Sequence, residues 1–218
     1  WKVLGIVAVL AGLALYRHVN LISYNKQLQK LADRDSLTGI LSRRKLRDEL
    51  EGFVELSDRH DWPLSLIFFD IDDFKQINDS LGHAKGDKVL IEITQRVSSK
   101  TRKSDRFGRW GGEEFVFVML ESDLSHACMT AEKIRSEVAG HDFSIGRQVT
   151  CSFGVAQYQK NETIEHFMSR ADEAMYLSKA KGKNCVCAAE AGSTEEGAKV
   201  ESTEAEETIE HDTGEGRT

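Results

Sequence analysis

The 218 residues, 40% of them hydrophobic and 8% aromatic, suffice for one medium domain with appendages. The net charge of −7 is misleading, because residues 189–218 hold ten acids and two bases and leave 26 acids and 27 bases for the rest. A body so close to neutral excludes a protein that coats nucleic acid through bulk charge, while local basic clusters remain able to hold a nucleotide.

Residues 1–16 are almost wholly apolar, interrupted by Lys2. At about 1.5 Å per residue sixteen helical residues reach roughly 24 Å, short of the roughly 30 Å hydrocarbon core. The stretch therefore reads as part of a transmembrane helix over 1–18. The rivals are a buried core helix and a signal-peptide core, and the latter would bring a basic leader and a small-residue cleavage site that the stretch does not show. Arg17, His18, Lys26 and Lys30 follow, which by the positive-inside rule puts the remaining chain in the cytoplasm. Leu21, Tyr24, Leu28 and Leu31 recur at spacings of three, four and three. That is the seam of a short coiled-coil stalk over 19–33, or equally a stripe lying against its own domain.

Thr38-Gly39 breaks the pattern, and Arg43–His60 restores helical periodicity through Leu46, Leu50, Phe53 and Leu56. The apolar run from Leu64 to Phe74 reads as a buried central strand ending in Asp70, Asp72 and Asp73. A carboxylate there is partly desolvated, which is costly unless a cation or a hydrogen-bond donor compensates it. Asp70 fits that reading, whereas Asp72 and Asp73 read as acids opening the next helix, predicted over 72–80. Gly82 breaks it, and a longer helix follows over about 86–99. Asn78 and Asp87 then lie near one mouth, where an amide and a carboxylate can bind the edge of a guanine. Ordinary capping, with Asp87 in the first turn of its helix, competes, and the residues alone favour it.

Arg102-Lys103-Ser104-Asp105 is by itself a polar loop of solvated charge. Strands predicted over 105–110 and 115–120 flank Gly111-Gly112-Glu113-Glu114, a hairpin turn that carries two carboxylates. Paired glycines accept positive φ without steric cost and let a bulky ligand approach the main chain. An ordinary hairpin has no need of two acids, although the turn taken alone is equally a plain one. Asp70 beside Glu113 would make a hard-oxygen site suited to Mg²⁺, which binds through one or two carboxylates plus substrate phosphates.

Helices over 124–140 and 164–182 and strands over 148–158 and 184–188 complete the pattern. The second helix turns basic at its end, where Lys179, Lys181 and Lys183 can grip nucleotide phosphates or simply complement the helix dipole. Cys128, Cys151, Cys185 and Cys187 show neither C-x-x-C spacing nor a histidine pattern suited to zinc, and read as reduced thiols. Residues 189–218 lack apolar periodicity and are expected to be disordered.

Six stretches in a single order resemble the GGDEF family of diguanylate cyclases over about residues 33–188. They are Asp35-Ser-Leu-Thr-Gly-Ile-Leu-Ser-Arg-Arg44, Phe69-Asp-Ile-Asp-Asp-Phe-Lys-Gln-Ile-Asn-Asp79, Gly82-His83 with Gly86-Asp87, the Gly-Gly-Glu-Glu-Phe turn, Ser152-Phe-Gly-Val-Ala156, and Ala171 through Asn184. The resemblance implies an α/β (α+β) sandwich over 34–188, its central, mostly antiparallel sheet flanked by helices as in class III nucleotidyl cyclases and polymerase palms. It implies catalytic roles for Asp70, Glu113 and Glu114, and a metal, Mg²⁺ or Mn²⁺, held by Asp70, the Ile71 carbonyl and Glu113. Asn78 and Asp87 match guanine-binding positions, Lys75, Gly111 and Gly112 other substrate positions, and Lys179 and Lys183 phosphate positions. Arg102 and Asp105 match the family's product-inhibition site. Lys183 stands where the family usually has Arg, so its grip is less bidentate, and Ser42 stands where it usually has Asn. The implied reaction condenses two GTP into cyclic di-GMP plus two pyrophosphates. A homodimer would carry it out, tethered to the inner membrane of a bacterium with its catalytic domain in the cytoplasm and without nucleic acid. The alternatives are a silent receptor for GTP or cyclic di-GMP, and a dimerisation module, which would leave the acids unexplained.

Overall fold

The computed structural model describes residues 12, 13, 15–18, 20 and 33–189. No helix among the described residues is long and apolar enough to cross a membrane. The expected membrane segment, the Leu21, Tyr24, Leu28, Leu31 seam and the acidic tail fall wholly or largely outside the described residues.

The chain runs β1 (Leu41–Ser42), α1 (Arg43–His60), β2 (Leu64–Ile71), α2 (Phe74–Leu81), α3 (His83–Ser98), β3 (Arg106–Gly111), β4 (Glu114–Leu120), α4 (Leu124–Ala139), β5 (Cys151–Gln157), α5 (Ile164–Ala180) and β6 (Val186–Ala188). The six strands form one sheet in the order β1-β3-β4-β2-β5-β6. Its three central pairings are antiparallel, and the outer pairs β1·β3 and β5·β6 are parallel. This is the expected sandwich with a mostly antiparallel core.

Why β2 is mostly apolar follows from its place at the centre. All eight of its residues are buried, and successive side chains point to opposite faces. Ile67, Phe69 and Ile71 join the cluster covered by α2, α3 and α4 through Ile77, Ile93 and Ala131. Leu64, Leu66 and Phe68 join the cluster covered by α1 and α5 through Leu46, Leu50, Phe167 and Met175. Phe69 stacks on Phe153 and Phe115, with ring centroids 4.9 and 5.2 Å apart, so three strands are tied by aromatic contact. The same alternation sends Asp70 to the α5 side of the sheet.

Gly154 sets how closely α5 lies on β5. A Cβ at that position would stand 2.0 Å from the Ala171 carbonyl oxygen and 2.2 Å from the Met175 nitrogen, both backbone atoms. Only glycine permits that approach.

Several boundaries differ from those expected. Helix α2 begins at Phe74, because Asp73 takes a left-handed φ of 55° and its side chain makes no cap. Helix α3 begins at His83, so Asp87 lies beyond its first turn and does not cap it. Strand β1, two residues long, was not foreseen, since a stretch this short has no period to read. Ser42 ends it and caps α1, its hydroxyl accepting from the Lys45 amide at 3.4 Å.

Candidate active site

The β3–β4 hairpin turns on Gly112 and Glu113, and its register slips between Arg109 and Gly111, leaving Trp110 as the extra residue of a bulge. Neither Gly111 nor Gly112 takes a positive φ, so the expected left-handed turn is not what the glycines provide. They provide room. A Cβ on Gly112 would meet nothing within 4 Å, and one on Gly111 would crowd Glu114 Oε2 at 3.1 Å.

The bulge turns Trp110 towards α1, where the Arg43 guanidinium lies 4.6 Å from its ring centroid. Arg109 braces the turn from the other side. Its Nε and a terminal nitrogen donate to the Gly112 carbonyl at 3.0 and 2.6 Å, and its second terminal nitrogen reaches Asp35 at 3.2 Å. Burial acts to raise the Asp35 pKa, but bonds from the Thr38 hydroxyl and amide and the Arg109 charge outweigh it and hold the carboxyl below its usual value.

Asp70 pairs across the ladder with Glu114, and the Ile71 amide donates to the Glu113 carbonyl at 3.4 Å. Three carboxylates therefore gather where β2 meets the hairpin. Asp70 is only 6% exposed. Burial pushes its pKa up to about 6; Lys179 opposes that with a hydrogen bond and its charge, while Glu113 and Glu114 add to it as like charges. Burial also raises Glu114, with the Asp172 charge adding to the effect. The Lys179 ammonium, from the last turn of α5, sits 2.9 Å from Asp70 Oδ1. The family resemblance directed this lysine towards phosphates.

The donor chemistry fits a hard divalent cation. Three buried or half-buried carboxylates repel one another, and a lysine ammonium stands against one of them in the position of a neutralising charge. No cluster of three or more His, Cys, Asp and Glu placed to hold a metal by itself occurs among the described residues. A Mg²⁺ ion that takes one or two protein carboxylates and completes its shell with phosphate and water does not need one.

Asn78 packs against the helix that carries Asp87. A Cβ on Gly86 would fall 2.0 Å from Asn78 Oδ1, so the amide of α2 rests directly over the residue that precedes Asp87. Lys75, one turn earlier on α2, is exposed. The Lys183 ammonium lies 2.7 Å from Oδ1 of Asp73, the residue before α2. Asp72 corrects the sequence reading most plainly. It is buried and opens no helix, since both its oxygens accept hydrogen bonds from β5 and from the loop after α5.

Arg102 and Asp105 stand apart from the acids. Six strand residues separate Asp105 from the turn, a distance of roughly 20 Å. Asp105 is buried, accepting from the Arg102 amide at 3.0 Å and the Ser104 hydroxyl at 3.3 Å. The Arg102 side chain is exposed and approaches His126 Nε2 at 3.5 Å. A small cavity of about 100 Å³ between β4 and α4 adjoins both residues.

Sequence reasoning left Asp35, Arg43 and Arg109 without roles. Only Asp35-x-x-Thr38, whose side chains can bond one another and the intervening backbone, offered a local signal. The four cysteines are free, Cys151 and Cys187 buried and Cys128 and Cys185 half-buried.

Known proteins resemble this chain in sequence and fold. Residues 32–185 match the family described as diguanylate cyclase, GGDEF domain. The response regulator PleD of Caulobacter vibrioides is 42% identical over 163 residues, covering 72% of this chain and 36% of that protein. Diguanylate cyclase DgcM of Escherichia coli K12 is 40% identical over 166 residues, covering 75% of this chain and 40% of that one. The chain thus spans well under half the length of these relatives. Among solved structures, the GGDEF domain of DgcB from Caulobacter crescentus in complex with c-di-GMP superposes with a TM-score of 0.70 at 32% identity, covering 73% of this chain and 94% of that one. The active GGEEF domain of a diguanylate cyclase from Vibrio cholerae gives 0.66 at 34% identity, covering 69% and 98%. With one continuous match that begins just before the Asp35 brace and ends at Cys185, this chain belongs to the GGDEF domain family.

Proposed function

We propose that the domain over residues 34–188 is a diguanylate cyclase that condenses two GTP molecules into cyclic di-GMP and two pyrophosphates. The observation that carries this reading is the convergence of Asp70, Glu113 and Glu114 at the braced turn, with Lys179 2.9 Å from Asp70. Such a site is suited to phosphoryl transfer, where positioning and charge neutralisation supply most of the catalysis. Curated relatives named diguanylate cyclase, and a neighbour solved with c-di-GMP, support the same reading.

Asp70, Glu113 and the Ile71 carbonyl would hold Mg²⁺ or Mn²⁺. When bound, the metal supplies Lewis-acid polarisation of the phosphate and neutralises developing charge. The protein's own groups do the rest. Asn78 and Asp87 take the guanine edge, and Lys75 with the open backbone at Gly111 and Gly112 admits the phosphates. Lys179 exchanges Asp70 for the phosphate tail, which Lys183 also meets. Glu114, raised by burial, accepts the proton of the attacking 3′-OH. One chain offers one half-site for a product made from two nucleotides, so two chains act together. Residues 1–18 would tether them to the inner membrane, with the stalk over 19–33 between and the tail over 189–218 solvated. Arg102 and Asp105, remote from the acids, would bind product and hold the two domains apart.

The test is synthesis itself. With GTP and Mg²⁺ the full chain should release pyrophosphate and form cyclic di-GMP. Glu113→Gln, which keeps size but removes charge, should lower turnover by orders of magnitude with folding intact. Undiminished synthesis by that variant would sink the site assignment, and GTP binding without pyrophosphate release would make the domain a receptor.

A further inference from the structure

The loop that delivers Lys183 has an unusual backbone. Gly182, Lys183 and Asn184 take successive positive φ values of 110°, 67° and 47°. Two of the three are not glycine, and such conformations persist only where the surroundings hold them. The Gly182 and Lys183 amides donate to the Lys179 and Ser178 carbonyls at the end of α5, and the Asn184 amide that follows is held by Asp72. Its carboxylate, 7% exposed, accepts from Thr150 Oγ1 at 2.6 Å and the Asn184 amide at 3.1 Å on one oxygen, and from Ser152 Oγ at 2.6 Å on the other. The end of β2, the start of β5 and the loop between α5 and β6 therefore meet on one buried group. Arg135 of α4 adds a bond to Asn184 Oδ1 at 2.8 Å.

We propose that Asp72 is a positioning residue: by holding the Asn184 amide it fixes the left-handed loop that presents Lys183 to the phosphates of the nucleotide. The inference rests on the reading of the site given above, in which Lys183 meets the phosphate tail. A lysine is a point charge on a flexible stem, without the preorganised fork of arginine, so its aim depends on where its backbone is anchored. Asp72 supplies that anchor, and neighbouring Asp73 parks the ammonium at 2.7 Å.

The experiment compares the affinity of the full chain for 3′-deoxy-GTP, which lacks the attacking hydroxyl, with its affinity for GMP, by titration calorimetry in Mg²⁺. Asp72→Ala should weaken 3′-deoxy-GTP roughly tenfold, the loss of one charge-assisted contact. GMP affinity should change by less than about twofold, because GMP lacks the phosphates that Lys183 would reach. Asp72→Asn should recover most of the loss, because it keeps an oxygen for the Asn184 amide while the Ser152 hydroxyl can turn to accept. Lys183→Ala should match Asp72→Ala, and the double variant should cost no more than either single one. Equal weakening of both nucleotides, or factors that multiply in the double variant, would overturn the proposal. If Asp72→Ala does not fold, Thr150→Val removes one donor at a half-buried position and should show the same selective loss at about threefold; its absence overturns the proposal too. A parent chain that binds no guanine nucleotide would overturn the site reading together with this one, whereas binding by the parent that Asp72→Ala leaves intact would overturn only the positioning role.

Discussion

Asp70 should weaken the fold that it equips. Its carboxyl is 6% exposed and burial pushes its pKa from 3.8 up to about 6. A raised carboxyl means that the folded state prefers the neutral form. Its stabilising contribution is therefore present below about pH 4 and lost as pH rises through about 6. Two pKa units at about 1.4 kcal/mol each make the ionised group cost up to about 3 kcal/mol at neutral pH. Asp70→Asn keeps the shape and removes that cost together with the ion pair to Lys179, whose opposing effect is already contained in the value of about 6. Chemical denaturation in a chelator should find the variant more stable than the parent by about 2–3 kcal/mol at pH 7.5, or several degrees in Tm. The gap should close towards pH 4. Comparing the two chains matters because Asp35, Glu49 and Glu92, all held below their usual range, give the opposite slope and contribute equally to both. A variant less stable than its parent at pH 7.5, or a gap that does not close on acidification, would refute the argument.

Asp35→Asn keeps the Thr38 contacts and removes the charge that holds Arg109; turnover should fall about tenfold with less than about 1 kcal/mol lost in stability, and an unchanged rate would show that the turn needs no brace. Gly154→Ala should destabilise by about 1–3 kcal/mol or more, read by urea denaturation, since its Cβ collides with backbone that cannot rotate away. Arg102→Ala leaves the acids and Lys179 untouched, so its initial rate should match the parent's while its progress curve continues past the point where the parent slows. Equal slowing in both chains would make residues 102–105 a plain loop.

Much of this was legible because it is periodic or local. The mostly apolar run of β2 declared a strand covered on both faces, and Arg43–His60 declared its helix to the residue. Asp70 stood out as a charge at the end of an apolar run. What escaped depends on groups far apart in sequence. Asp72 and Asp73 looked alike on paper, yet one is the hub of a buried network reaching Asn184 and the other an exposed partner for Lys183. The turn glycines suggested positive φ, whereas the chain reverses at Gly112 and Glu113 without it and the glycines leave space. The residues left Lys179 between phosphate and the helix dipole, the resemblance gave it phosphate, and nothing in sequence showed that it rests on Asp70.

The two margins of the sheet bear on how copies of this chain can meet. Strand β1 has two residues and β6 has three, and each runs parallel to the neighbour it covers. Long bare margins invite another sheet to continue the ladder, which is the route to fibres and swapped assemblies. Margins this short offer almost no template. Two domains brought together at high local concentration are thus steered away from edge-to-edge fusion.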